Sequence, residues 1–427
     1  MLDSLFEFIE ASPSPFHAAA SAVERLIAAG CIETGRSASW NGLDAAQGLV
    51  VRDGGTVVAV RAGAGVDPER LRFSVIGAHT DSPNLRIRPQ PDSGTLGYRQ
   101  LGVEIYGGVL LNSWLDRDLG LSGRVTVATE VGDGPQTVLW RCDRALLRVP
   151  QLAIHLDRDV NDGLKLDRQQ HMTPVWGLGE PSADGFREFL AAELDVEPDA
   201  VLAWDVMAHD LTPPTRLGRD GEMYAAGRID NLASCHAAVE ALAGLDAVPT
   251  DTAAVVVLFD HEEIGSDSAT GAGSPILADA LERIAHCLGA SREQYLRAVA
   301  RSLCVSADGA HAVHPNYPER HEPQHLPRLN GGPVIKTNVN VRYATDARTH
   351  ARFAAACDAA GVPHQIYSHR GNLPCGSTIG PITASRLGMS VVDVGSPQLS
   401  MHSARELGGS DDAAMLTAAL GAFLAAR

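Results

Sequence analysis

The run Ala253-Ala-Val-Val-Val-Leu-Phe259 is uninterrupted and apolar, and it ends in Asp260-His-Glu-Glu-Ile-Gly265. Its length and β-branched content describe a buried strand, and Gly265 turns the chain just beyond it. The strand therefore delivers two adjacent glutamates, Glu262 and Glu263, to its own end. Neighbouring carboxylates repel, so this pairing costs stability unless a cation offsets it. One carboxylate can bind a metal while the other stays free to take a proton from water. A solvated acidic loop after a core strand gives the same local pattern, so the pair has to be weighed with the rest of the chain.

The surrounding sequence has an α/β rhythm. Helices are expected over 2–9, 16–29, 231–243, 274–288, 349–360 and 411–426. Strands are expected over 49–62 (a pair broken at Gly54-Gly55), 71–78, 253–259, 302–306, 334–343 and 389–394. Strands alternating with helices predict a mostly parallel sheet covered on both faces. Between about Arg88 and Tyr224 the texture changes. Gly, Pro and Asp become frequent, strands are expected over 107–111, 123–130 and 137–141, and Gly132-Asp-Gly134 signals a hairpin. No long helix is expected there before 184–194. The expectation is a discontinuous α/β domain formed by 1–90 and 226–427, with a mostly β insertion over 91–225.

With 427 residues the chain is too long for one compact core. Its 35 basic and 52 acidic residues give a net charge of −17, which excludes a basic nucleic-acid-binding face as the main function. Seven scattered cysteines without a CxxC read as reduced thiols of a cytoplasmic protein. The N-terminal stretch shows neither a signal peptide nor a membrane span. HExxH, G-x-S-x-G, a P-loop and a completed G-x-G-x-x-G are all missing.

Five acidic or histidine sites fall at element ends: His79, Asp230, the pair Glu262-Glu263, Asp308 and His402. Four of them follow strands, where open α/β sheets bind ligands. Each has a bland alternative by itself: a core histidine, a helix cap at Asp230, a turn at Asp308-Gly309. Taken together, two histidines and three carboxylates form a zinc-type donor set with room for two ions. In His79-Thr-Asp81 the carboxylate can accept the second imidazole N–H and orient the ring.

Longer motifs connect these sites. They are Ser12-Pro-Ser-Pro-Phe-His17, His79-Thr-Asp-Ser-Pro83, Trp114-Leu-Asp-Arg-Asp118, Gly227-Arg-Ile-Asp-Asn231, His261-Glu-Glu-Ile-Gly-Ser266, Ser306-Ala-Asp-Gly-Ala-His-Ala-Val-His-Pro-Asn-Tyr317, Pro374-Cys-Gly-Ser-Thr-Ile-Gly-Pro381 and Ser400-Met-His-Ser403. In this order, nearly end to end, they resemble the aspartyl aminopeptidases, dizinc metallopeptidases that remove N-terminal Asp or Glu from peptides. The resemblance implies two zinc ions per subunit, one held by His79, Asp230 and Asp308, the other by Asp230, Glu263 and His402. It implies that Glu262 is the general base toward the water between the ions and that Asp81 orients His79. Substrate contacts fall to Asp308, His311, Lys336 and Tyr343. His155 is expected to enter the active site of a neighbouring subunit, the β insertion to form a dimer contact, and the whole to assemble as a dodecamer. Lys336 is one of two lysines in the chain and is the expected partner of an acidic substrate side chain. Gly309 departs from the pattern, since the family often has a larger residue there, such as methionine. Two rivals remain open from the residues alone: another dizinc hydrolase with a different substrate, such as a deacylase or an aminopeptidase for neutral residues, and a metal-binding scaffold without catalysis.

Overall fold

The computed structural model describes residues 1–129 and 134–426. Two compact units emerge, one formed by 1–81, 214–401 and 406–427, the other by 82–213 with 402–405. The inserted segment therefore begins at Ser82 and ends at Pro213, earlier at both ends than the composition shift suggested.

The first unit is built on a nine-stranded sheet. Its order is Ile32–Thr34, Leu49–Asp53, Thr56–Ala62, Thr252–Phe259, Arg72–His79, Leu303–Ala307, Ser390–Gly395, Val334–Thr337 and Gln365–Ser368. The middle four strands, from Thr252–Phe259 to Ser390–Gly395, are all parallel neighbours. Alternation along Thr252–Phe259 explains why the run is continuously apolar. Ala254, Val256 and Leu258 enter one core cluster, with the helices Leu2–Ala11, Pro15–Ala28, Ile229–Ala243, Ala347–Ala360 and Asp412–Ala425. Ala253, Val255, Val257 and Phe259 enter the other, with the helices Ile276–Cys287 and Arg292–Arg301. A strand covered on both faces has no solvent side on which to place polar residues. A five-stranded sheet, ordered Thr215–Leu217, Met223–Ala226, Glu406–Gly409, Pro397–Leu399 and Ala310–His311, completes this unit.

The second unit is a six-stranded antiparallel sheet, ordered Gln136–Leu147, Leu119–Val127, Val201–Asp210, Asn84–Thr95, Tyr98–Tyr106 and Val175–Leu178. The helix Gly185–Leu194 brings Phe186 and Phe189 against Trp140, Trp176 and Trp204.

Three expectations need correction. Residues 107–111 do not form a strand: Gly107 takes φ +76°, and a short 3₁₀ turn follows at Leu111–Trp114. The strand expected over 334–343 stops at Thr337, because the Asn338 side chain accepts from Asn340 N (2.9 Å) and closes a turn. The strand Asn84–Thr95 was missed because Pro89 and Pro91 interrupt it; a register shift between Ile87 and Asp92 accommodates them. Residues 130–133, which hold the end of the expected 123–130 strand and most of the hairpin signal, lie outside the described residues.

Candidate functional site

The carboxyl ends of the central parallel strands converge on one group of side chains. His79 is the last residue of Arg72–His79 and is 1% exposed. Its Nδ1 lies 3.0 Å from the main-chain oxygen of Asp81 and 3.4 Å from the Asp81 carboxylate. A carbonyl oxygen only accepts, so Nδ1 carries a proton, and Nε2 is the nitrogen that faces the other carboxylates and would give its lone pair to a bound cation. That Nε2 is 3.5 Å from Asp230 Oδ1, 3.5 Å from Asp308 Oδ1 and 4.0 Å from Glu262 Oε2.

Asp308 follows Leu303–Ala307, with its N–H donated to Val394 O (2.9 Å). Asp230 stands at the kinked start of the helix Ile229–Ala243. Asp230 (φ −80°, ψ 105°) and Asn231 (φ −124°, ψ 24°) are non-helical there, so the regular helix begins after them. Glu406 accepts the Asp230 N–H (3.0 Å), and Asn231 Nδ2 donates to Ala307 O (2.9 Å), tying the helix start to the strand that precedes Asp308.

The two glutamates form a single 3₁₀ turn, Glu262–Ile264, between His261 (φ +65°) and Gly265 (φ +99°). The fully buried Asp81 carboxylate accepts both of their backbone N–H groups, Glu262 N at 3.0 Å and Glu263 N at 3.1 Å. Asp81 therefore fixes the glutamate turn as well as neighbouring His79.

Charge dominates this group. Burial opposes a protonated imidazole, but Asp230, Asp308 and Asp81 together hold the His79 pKa well above its ordinary value. Burial also pushes the Glu262 carboxyl well above the usual carboxylate range. His79 opposes that shift, and Asp308, Glu263 and Asp81 reinforce it. Five carboxylates around one imidazole make a strongly anionic interior, which a divalent cation offsets. The donors fit zinc. His79, Asp230 and Asp308 offer ligand atoms within 4.8 Å of one another, as do His79, Glu262 and Glu263. Two bonds of about 2.0–2.1 Å at a tetrahedral angle place their donors roughly 3.4 Å apart, close to the two 3.5 Å separations at His79 Nε2.

The residues expected at the substrate lie close to Asp308 on the same unit. Lys336 is 2% exposed; its Nζ donates to Gly309 O (3.0 Å) and Asp308 O (3.4 Å), 3.9 Å from Asp308 Oδ2. The ammonium also sits 5.1 Å over the Tyr343 ring. His311 is exposed at the end of Ala310–His311, its ring edge-on to Tyr367 at 6.0 Å. The space above Gly309 is filled by Met401, whose methyl lies 2.8 Å from where a Cβ would stand. His402 and His155 belong to the second unit. His402 Nδ1 donates to Gly108 O (3.0 Å), which leaves Nε2 as the basic nitrogen of the neutral ring. His155 lies in an exposed stretch.

The buried Asp393 was missed in the sequence. It is the one charged residue inside the run Val391–Val394, and that interruption was the available signal.

Comparison with known proteins decides the family. The family model described as "Aminopeptidase I zinc metalloprotease (M18)" matches residues 8–424. The chain belongs to the M18 family of zinc metallo-aminopeptidases. It is 52% identical to a probable M18 family aminopeptidase 2 of Streptomyces avermitilis over 99% of this chain and 97% of that one. It is 50% identical to its counterpart in Mycobacterium leprae, over 99% and 98%. The solved Ape4 of an Ape4–Nbr1 complex superposes with a TM-score of 0.95 at 34% identity, covering 99% of this chain and 85% of that one. The dodecameric mApe1 of S. cerevisiae gives 0.86 at 25% identity, covering 99% and 95%. The M18 assignment makes the chain an aminopeptidase hydrolase of a zinc-dependent class and agrees with its mostly parallel sheet and additional antiparallel sheets.

Proposed function

We propose that this M18 aminopeptidase removes N-terminal Asp and Glu from peptides, with two zinc ions per subunit. In this reading His79, Asp230 and Asp308 would hold one ion, and Asp230, Glu263 and His402 would hold the other. Bound zinc supplies Lewis-acid polarisation of the scissile carbonyl and makes water a competent nucleophile near neutral pH. Glu262 takes the proton of the attacking water on its carboxylate and returns it to the departing amine. Asp81 keeps the Glu262-Glu263 turn and the His79 ring in place.

The observation that carries the acidic specificity is Lys336. It is a buried cation in the chain's anionic interior, 3.9 Å from Asp308 and over the Tyr343 ring. Its ammonium attracts a substrate carboxylate and disfavours an apolar side chain, which leaves it without a partner.

We also place the enzyme in a homo-oligomer. His155 is flanked by Leu152, Ile154 and Leu156, exposed by 57%, 51% and 75%, an apolar stretch suited to burial against a neighbour. The resemblance puts His155 in that neighbour's active site and the assembly at twelve subunits. All seven cysteines are unpaired, in keeping with a reducing, cytoplasmic setting.

The test is steady-state hydrolysis of peptides beginning with Asp, Glu or Leu, and of an N-acylated control, with and without a chelator. Chelator-sensitive cleavage of the Asp and Glu peptides, at least ~10-fold above Leu, is expected from one buried charge pair. Equal or faster Leu cleavage, or cleavage of the blocked control, overturns the specificity.

A further inference from the structure

Asp393 lies in the middle of Ser390–Gly395, 0% exposed, directly opposite Lys336 in the antiparallel pairing with Val334–Thr337. Cross-strand neighbours in this register have side chains on one face, with Cβ atoms about 5 Å apart. The Asp393 carboxylate is fully engaged. Oδ1 accepts from Ser306 Oγ (2.6 Å) and Thr378 Oγ1 (2.6 Å), and Oδ2 accepts from Ala344 N (2.6 Å). Its own N–H donates to Thr345 Oγ1 (2.9 Å). Thr378 caps the helix Ile379–Leu387, so the carboxylate sits at that helix N-terminus. A Cβ at Gly380 would lie 2.4 Å from either carboxylate oxygen, so only glycine lets the helix approach this closely.

These four contacts reach the parts of the chain that bear the proposed specificity residues. Ser306 is two residues before Asp308, and Ala344 directly follows Tyr343. Lys336 is the cross-strand partner. The Lys336 ammonium is thus attracted from two sides, by Asp308 at 3.9 Å and by Asp393 across the strand pair. With the second anion gone, the cation is left to Asp308, and the Tyr343–Ala344 segment loses its anchor.

We propose that Asp393 is the positioning residue of the acidic-side-chain pocket: it balances Lys336 against Asp308 and fixes Tyr343 beside it, so that the ammonium is available to a substrate carboxylate. This rests on the acidic specificity proposed above. Asp393 touches no substrate itself and acts through Lys336 and Tyr343.

The experiment compares wild type with Asp393→Asn, which keeps the side-chain shape but removes the charge and sets an amide N–H₂ against either the Ala344 N–H or the Ser306 and Thr378 hydroxyls. Zinc content, KM and kcat are read separately on Asp- and Leu-initiated peptides. The expected result is wild-type zinc content and an Asp-over-Leu ratio of kcat/KM lowered at least ~10-fold, carried mainly by KM on the Asp peptide. Ser306→Ala and Thr378→Val each remove one hydroxyl donor, leave the charge, and carry the same prediction at about 3-fold should Asp393→Asn fail to fold. A wild-type acidic preference that survives intact in these variants overturns this inference alone. A wild type with no acidic preference overturns the specificity reading, and this inference with it.

Discussion

Asp81 spends its carboxylate on two main-chain N–H groups, those of Glu262 and Glu263, while its main-chain oxygen accepts the hydrogen bond from His79 Nδ1. One residue therefore sets the position of the proposed base and of a proposed zinc ligand. Asp81→Asn keeps one oxygen acceptor and places an amide N–H₂ against the second N–H. Loss of such a supporting partner costs about 10–100-fold in metal affinity or activity. Zinc titration and turnover of Asp81→Asn check this, and wild-type values for both contradict it. At this scale the donor types were legible, because His, Asp and Glu at strand ends have few other reasons to gather. The Asp81 contacts to Glu262 and Glu263 were not legible, since they depend on the meeting of two loops 181 and 182 residues apart. Asp393 escaped notice for the same reason: its three donors come from distant segments.

At the scale of elements, the helix Ile229–Ala243 shows how packing sets ionisation. His236 is fully buried on it, with Nε2 3.0 Å from Ser4 Oγ and the ring 5.8 Å from Phe8, both on the helix Leu2–Ala11. Burial, with Arg25 and the N-terminal amine adding to it, lowers the His236 pKa from 6.5 to about 3. Above pH ~6.5 the ring is neutral in both the folded and unfolded chain. Between ~6.5 and ~3 the unfolded chain binds a proton that the fold refuses, so stability falls on acidification by up to about 1.4 kcal/mol per pH unit. Urea unfolding at pH 7.5 and 5.0 is expected to show wild type losing about 2 kcal/mol more than His236→Leu over that interval. A difference between the two that is independent of pH contradicts it. The parallel central strands were readable as apolar runs because burial on both faces leaves no polar alternation. The strands of the second unit were less readable, with Pro89 and Pro91 inside one and Asp205 inside another. The end of Val334–Thr337 was misread because Val339 and Val341 look like strand residues but lie exposed in a turn.

At the scale of the whole molecule, the alternating rhythm and its interruption placed the expected boundaries near 90/91 and 225/226, whereas the compact units divide at 81/82 and 213/214, with 402–405 joining the second unit. If His155 completes a neighbour's site, His155→Ala and Glu262→Gln damage different parts of one shared centre. Alone, Glu262→Gln is then expected to lose at least ~10²-fold in rate and His155→Ala at least ~10-fold, and mixing them before reassembly recovers part of the activity, because some sites receive an intact Glu262 from one chain and an intact His155 from another. Mixtures no more active than the sum of their parts, at a size shown to be oligomeric by light scattering, contradict shared sites.

The most direct test of the central claim is Glu262→Gln, assayed for zinc content and for turnover of an N-terminal Asp peptide. The substitution preserves shape and removes only the ability to take a proton. Zinc content equal to wild type is expected, with a rate lower by at least ~10²-fold, the usual scale for loss of a general base. Near-normal turnover with zinc retained would contradict the division of labour between Glu262 and Glu263.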